Sequence, residues 1–215
     1  MRTRLLLCLL LAALGLADTP TDRMLSIARQ EWEYFGRQTI VAGKIVQEGH
    51  KESEDVYSDR VALYWKEGVN LNWTGKDTHE PWSAAFISYV MRKAGLGDRF
   101  EYSEWHAHYI RRAIRARRER DPRYAFWAYR LSERAPQVGD IVCYAREDGI
   151  DFDRQREVYK SHGDLVVAVR PGEIDVIGGN VQDSVSLKTL ATDAEGKLID
   201  QNQRWFAVLA NRLTR

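Results

Sequence analysis

The hydrophobic period changes once along this chain, and that change limits the architecture more than any other feature. Before the Pro136-Gln-Val-Gly-Asp140 stretch, apolar residues recur three and four apart; after it they fall in short runs closed by turn residues. Helices first and strands second, joined by hairpin-length connections, predict an α+β domain with a helical N-terminal half packed on an antiparallel β-sheet. The 215 residues suffice for one domain with a sizeable core, and no repeat, low-complexity tract or Pro/Ser-rich linker divides them.

The extreme N-terminus stands apart. MRTR, the apolar run LLLCLLLAALGL and the small residues Gly15 to Ala17 have the form of a secretory signal. Residues 1–17 are therefore expected to be cleaved after Ala17, leaving a mature domain of 18–215 in the periplasm or outside the cell. Cys8 lies too early in the run to be a lipoprotein cysteine, and after cleavage no membrane span is expected. Cleavage removes Arg2 and Arg4, so 30 basic residues face 31 acids and the net charge becomes −1. That balance gives no global attraction to nucleic acid. It also leaves Cys143 as the one cysteine, so no intrachain disulfide is expected.

Within the mature chain, Thr21 is expected to cap a helix carrying Leu25, Ala28, Trp32 and Phe35, with Gly36 ending it. Arg60 to Lys66 reads as a second helix. PWSAAFISYVMRKAG, from Pro81 to Gly95, reads as a third, with Pro81 in a turn that needs no N–H from it. Ser103 is expected to cap a fourth, whose apolar stripe is His106, Tyr109, Ile110, Ala113 and Ile114. Strands are expected at Ile141 to Ala145, Asp164 to Arg170, Ile174 to Ile177, Ser184 to Leu190 and Trp205 to Leu213.

Ser83, in the first turn of the third helix, is the candidate nucleophile. The helix dipole contributes about 0.3–2 kcal/mol, roughly one pKa unit, which cannot ionise an alcohol. A nucleophilic Ser83 therefore requires a general base. The N–H groups beside it are suited to holding an oxyanion. Spacing alone favours a plainer role, in which the hydroxyl satisfies a first-turn N–H.

Five histidines are available. His50 and His79 lie in polar, exposed segments, and His108 points off its helix stripe. His106 lies on the stripe, buried or facing a cleft. His162 stands at a strand entrance, with Asp164 on the same strand face two residues on. An imidazole is the better base near neutral pH, so His162 is the leading choice, with Asp164 and His106 as alternates. Asn180, after Gly178-Gly179, is the candidate for orienting the ring, with Asp183 as its alternate. Trp82 and Trp105 are expected to line the substrate cleft.

Cys143, inside IVCYA, reads as an inert core thiol. Arg111, Arg112, Arg115, Arg117, Arg118 and Arg120 form a basic helix face, read as solvated. HExxH, CxxC, a phosphate loop and a G-x-S-x-G elbow are absent from the sequence, so no metal or cofactor is expected.

The order of parts, Ser83 on a helix, Gly139-Asp140 opening a strand, His162 before the next and Asn180 after the one that follows, resembles the papain-like cell-wall peptidases of the NlpC and CHAP types. The segments PWSAAFISYVMRKAG, SEWHAHYIRRAIRARR, PQVGDIVCYAR, HGDLVVAV and VIGGNVQDSVSL resemble the bacterial domain of unknown function 2272 over roughly residues 25–213. The chain departs from the peptidases in having serine for cysteine, and Asp164 after Gly163 where they have histidine. The resemblance implies a papain-like core and an exported hydrolase or acyl transferase acting on amide bonds of peptidoglycan peptides. In it Ser83 would attack, His162 would carry the proton and Asn180 would orient the ring. The competing expectation is a catalytically degenerate module that binds wall peptides or an envelope protein. A third is acyl transfer to lipid.

Overall fold

The computed structural model describes residues 18–213, so the expected secretory signal of residues 1–17, with Cys8, lies outside the described residues. Among the described residues four α-helices precede most of the strands, and the eight strands form one sheet. The helices are α1 (Pro20–Tyr34), α2 (Asp55–Leu63), α3 (Ser83–Lys93) and α4 (His106–Glu119). The strands are β1 (Gln38–Val41), β2 (Lys44–Gln47), β3 (Phe126–Tyr129), β4 (Ile141–Ala145), β5 (Ser161–Arg170), β6 (Glu173–Gly178), β7 (Ser186–Ala191) and β8 (Arg204–Asn211). Their order across the sheet is β2-β1-β7-β6-β5-β4-β8-β3. Every neighbouring pair is antiparallel except β1–β7, which is parallel. The α+β class is thus as the change of period implies. No helix among the described residues is long and apolar enough to cross a membrane.

Three expectations need correction. The cap of α1 is Thr19, not Thr21: Thr19 and Asp22 form a reciprocal capping box, and Thr21 is buried inside the helix. Ser103 does not cap α4; its hydroxyl accepts the Trp105 N–H (2.9 Å), a turn before the helix proper. Strands β1, β2 and β3 were not expected, because four-residue strands in polar or helix-adjacent sequence carry too few alternations to register.

Strand alternation divides the core in two. One face of the sheet, with Ile141, Cys143, Leu165, Val167 and Ile177, packs under the helices. The other, with Val142, Tyr144, Val166, Val176, Leu190 and Trp205, packs under the segment around Leu198. Buried polar groups fix the layers. Glu31 accepts bonds from Arg60 Nε (2.8 Å) and Tyr64 Oη (2.6 Å), tying α1 to α2 and to the π-helical turn Tyr64–Val69 that continues it. Asp140 accepts the Gln137 and Asn211 N–H groups (2.9 Å each) and pairs with Arg134, which joins the start of β4 to the end of β8. The Gly-Asp element is therefore structural. This frame presents the first residues of α3 and α4 to one another above β5.

Candidate active site

Ser83 is the first residue of α3 and His106 the first residue of α4. Ser83 Oγ and His106 Nε2 are hydrogen-bonded at 2.7 Å. The hydroxyl makes no capping bond to its own helix, so the plainer first-turn role is not what the side chain does. The first backbone bond of α3 runs from Phe86 N–H to the Trp82 carbonyl (2.9 Å). Ahead of it, the N–H groups of Ser83, Ala84 and Ala85 are the orphan donors of a helix start. Both members of the pair are nearly enclosed, Ser83 at 3 % and His106 at 4 % exposure.

Behind the ring, His106 Nδ1 and Tyr109 Oη are hydrogen-bonded at 2.5 Å. The i, i+3 spacing brings them onto one face of α4. Gly163 of β5 makes room for both. A Cβ there would lie 2.3 Å from Tyr109 Oη and 3.4 Å from His106 Nδ1. Burial pushes the Tyr109 phenol well above its usual range, so it stays protonated. Burial, then the nearby His162 and Arg146, hold His106 well below the ordinary histidine value, so it is neutral at pH 7.

The tautomer follows from bookkeeping of protons. Tyr109 Oη has no other hydrogen-bond partner among the described residues, so its proton is satisfied only by donation to His106 Nδ1. The ring proton then sits on Nε2 and faces Ser83. Moving it to Nδ1 frees Nε2 to accept from Ser83 but leaves the phenol proton unbonded, at a cost of about 1–3 kcal/mol. The reactive tautomer is thus the minor one at rest.

His162 is not the ring that meets Ser83. Its Nδ1 accepts from Arg146 Nη2 (3.1 Å), so its proton is on Nε2, which donates to Asp164 Oδ1 (3.0 Å). Both nitrogens are committed. Alternation explains this: Tyr144 pairs with His162 and Val142 with Asp164, which puts both residues on the face away from the helices. The two imidazoles still lie close, 5.1 Å between centroids. Asp164 donates no base to Ser83 either; its other oxygen accepts Lys188 Nζ (2.7 Å). Burial works to raise the Asp164 carboxyl, but Lys188 and His162 outweigh it and hold the group ionised. Burial lowers His162, against the pull of Asp164, to about 4.

Asn180 does not orient an imidazole. Its Nδ2 donates to Glu52 Oε2 (3.2 Å), which also accepts Trp82 Nε1 (2.5 Å). Asp183 is exposed, and its backbone carbonyl, not its carboxylate, is engaged, by Glu52 N–H (2.8 Å). The two glycines before Asn180 admit close approach on opposite sides. A Cβ on Gly178 would meet Asp164 Oδ1 at 2.0 Å, and one on Gly179 would meet Trp82 and Phe86 at 2.6 Å. Trp82 is a core residue at 1 % exposure, packed on Phe35 and Tyr64, and lines no cleft. Trp105, just before His106, is 37 % exposed.

Cys143 is fully buried and burial pushes its thiol well up, consistent with an inert core residue. Several arginines of α4 are engaged locally: Arg112 with Asp121, Arg117 with Glu133, Arg111 with the Glu157 carbonyl.

Sequence reading missed Tyr109, Arg146 and Lys188. Tyr109 was visible only as one more apolar stripe position. Lys188 left a signal, a lysine at an inward position of the alternating strand Ser186–Ala191.

The family model described as an uncharacterized protein conserved in bacteria, domain of unknown function 2272, matches residues 51–211. No curated protein matches the chain, and no solved structure does.

Proposed function

We propose, for a chain that belongs to the bacterial family domain of unknown function 2272, a serine-dependent hydrolase or acyl transferase, exported and acting on amide bonds of peptidoglycan peptides. The observation that carries the reading is the 2.7 Å bond between Ser83 Oγ and His106 Nε2. An alcohol and a neutral imidazole at that distance form a nucleophile–base pair once the ring proton is on Nδ1. Ser83 Oγ then bonds to the carbonyl carbon and its proton passes to Nε2. The carbonyl oxygen becomes an oxyanion beside the orphan N–H groups at the start of α3. Nε2 returns the proton to the departing amine, and water or a second amine releases the acyl group from Ser83. Once the ring proton is on Nδ1, that N–H donates to Tyr109 Oη, whose own proton turns away. The phenol is a weaker partner for an imidazolium than a carboxylate, since it carries no charge.

The substrate class rests on the expected secretory leader; His162 and Asn180, the parts whose order resembles the cell-wall peptidases, do not engage Ser83 and add nothing to it. With Ser83 and His106 this enclosed, a substrate reaches Oγ only after local opening. The test is turnover of purified peptidoglycan: Ser83→Ala and His106→Ala should each abolish product release while circular dichroism shows a folded protein. Full activity in either variant refutes the reading.

One observation favours a second reading, a wall-peptide binding module without turnover. The resting tautomer points a proton at Ser83 rather than a lone pair, and the site is nearly closed. A protein that holds muropeptides with every residue intact, yet releases no product over long incubation, would establish it.

A further inference from the structure

Among the described residues, the buried side-chain atoms that meet no hydrogen-bond partner are Trp65 Nε1, Tyr102 Oη, Arg112 Nη1 and Ser161 Oγ. Only Ser161 lies in a strand. It is the first residue of β5 and is 8 % exposed. Buried hydroxyls in native folds are nearly always bonded, so one left over calls for a reason.

Register sets the side of the sheet on which Ser161 lies. It pairs with Ala145, and Gly163 pairs with Cys143; both partners pack in the core under the helices. Ser161 and Gly163 therefore share the helix-facing side, and His162 between them takes the other. Gly163 lies under the dyad's ring, since a Cβ there would stand 3.4 Å from His106 Nδ1. Ser161 is one two-residue step along the strand from that point, about 6.5–7 Å.

The direction of the step is towards the open end of a helix. The first turn of α3, with Trp82 and Phe86, packs on Gly179, and Gly178 beside it meets His162 and Asp164. The other end of α3 lies further along β5. There the Ala94 carbonyl accepts Arg23 Nε (2.9 Å) from the start of α1. Thr21 of α1 packs on Gly139, whose N–H donates to the Val166 carbonyl (2.9 Å). α3 thus runs in the same sense as β5, and the orphan N–H groups beside Ser83 point back to where β5 begins. The spare hydroxyl of Ser161 and the spare N–H groups of α3 face the same space.

We propose that Ser161 is a substrate-binding residue, whose hydroxyl donates to the carbonyl of the peptide unit beside the one Ser83 attacks, on the acyl side. The proposal rests on the serine hydrolase or acyl transferase reading and adds a requirement to it: the acyl residue must itself carry an acylated nitrogen. One peptide unit of about 3.5 Å and one hydrogen bond of about 3 Å span the strand step. The acyl side stays on Ser83 between attack and release, so one contact serves both steps. The opening that admits substrate then trades an unmet hydroxyl for a bonded one.

The test compares the rates at which two reagents phosphonylate Ser83 in the whole folded chain. One is an ethyl fluorophosphonate bearing an acetylamino group on the carbon next to phosphorus, which supplies that peptide unit. The other has propyl in its place. The ratio of the two rates should fall roughly 2- to 12-fold in Ser161→Ala and be largely kept in Ser161→Thr, which retains a hydroxyl. The urea midpoint of Ser161→Ala should be no lower than that of wild type, because no bond within the fold is removed. An unchanged ratio in Ser161→Ala would overturn the proposal. So would a Ser161→Ala chain that unfolds earlier or does not fold, since the hydroxyl would then serve the fold. Wild-type Ser83 that reacts with neither reagent would refute the serine reading itself, and this proposal with it; labelling with an unchanged ratio refutes the proposal alone.

Discussion

Ser83 and His106 meet at 2.7 Å although 23 positions separate them, because each opens a helix and the two helix starts converge above Gly163. Neither residue is held by its own helix cap. Each is held by the other and, for His106, by Tyr109.

That arrangement fixes an expectation for the ring itself. In the resting protein ¹⁵N NMR should show His106 Nδ1 as the bare nitrogen and Nε2 as the protonated one. In Tyr109→Phe the donor to Nδ1 is gone, and the Nδ1–H form should gain population by a factor of roughly 5–150, the equivalent of the 1–3 kcal/mol bias. A wild-type ring already protonated at Nδ1 contradicts the assignment.

The glycine under the pair is required by space. Gly163→Ala would place a methyl 2.3 Å from Tyr109 Oη, so Tyr109 must shift and drag His106 with it. The variant should lose about 1–3 kcal/mol of stability and most of its reactivity at Ser83. Urea unfolding together with a serine-directed probe checks both. Wild-type values in each would mean that the close approach is unimportant.

The two histidines make the fold acid-sensitive. Their folded values lie below the unfolded value of about 6.5, so the unfolded chain binds protons first. Stability is fully present above that value and is lost as pH falls towards about 4 for His162. For His162 the loss amounts to about 3 kcal/mol, and His106 adds to it in the same direction. Below that window Asp164, held ionised by Lys188 and His162, adds a further loss as it is forced to protonate. Unfolding free energies at pH 7, 6, 5 and 4 should decline steadily; a flat profile would show that neither ring is buried neutral. The acid limb of kcat/KM should fall at a pH well below 6.5, since burial and the nearby His162 and Arg146 hold the His106 base below that value in the folded enzyme.

The buried pair of Lys188 and Asp164 should be costly to break and less costly to replace. Lys188→Met leaves Asp164 without its cation, at about 3–5 kcal/mol, whereas Lys188→Met with Asp164→Leu should recover part of that, less about 1–3 kcal/mol for the His162 Nε2–H left unbonded. Chemical denaturation of the two variants checks it. A single variant as stable as wild type would contradict the pairing.

What the sequence made legible follows from how local each feature is. The period change predicted the class, and IVCYA predicted β4 to the residue. Strand alternation placed His162 and Asp164 together, and their 3.0 Å bond bears that out. Alternation does not say which face lies under the helices. That depends on register with β4 and β6, which only the folded sheet sets. Choosing His162 over His106 turned on that missing information. Asn180 misled for a similar reason: the glycines beside it serve close packing against α3 and Asp164, and its amide goes to Glu52, 128 positions away. His106 itself was recognisable as a histidine on an apolar stripe, which reads equally as core or as site until a partner is seen.

The most direct test is covalent labelling with a fluorophosphonate, followed by peptide mapping, on wild type, His106→Gln and His162→Gln. The account expects phosphonylation of Ser83 in wild type and in His162→Gln, and its loss in His106→Gln. Labelling of Ser83 that persists without His106, or that vanishes only without a folded protein's His162, would contradict the dyad.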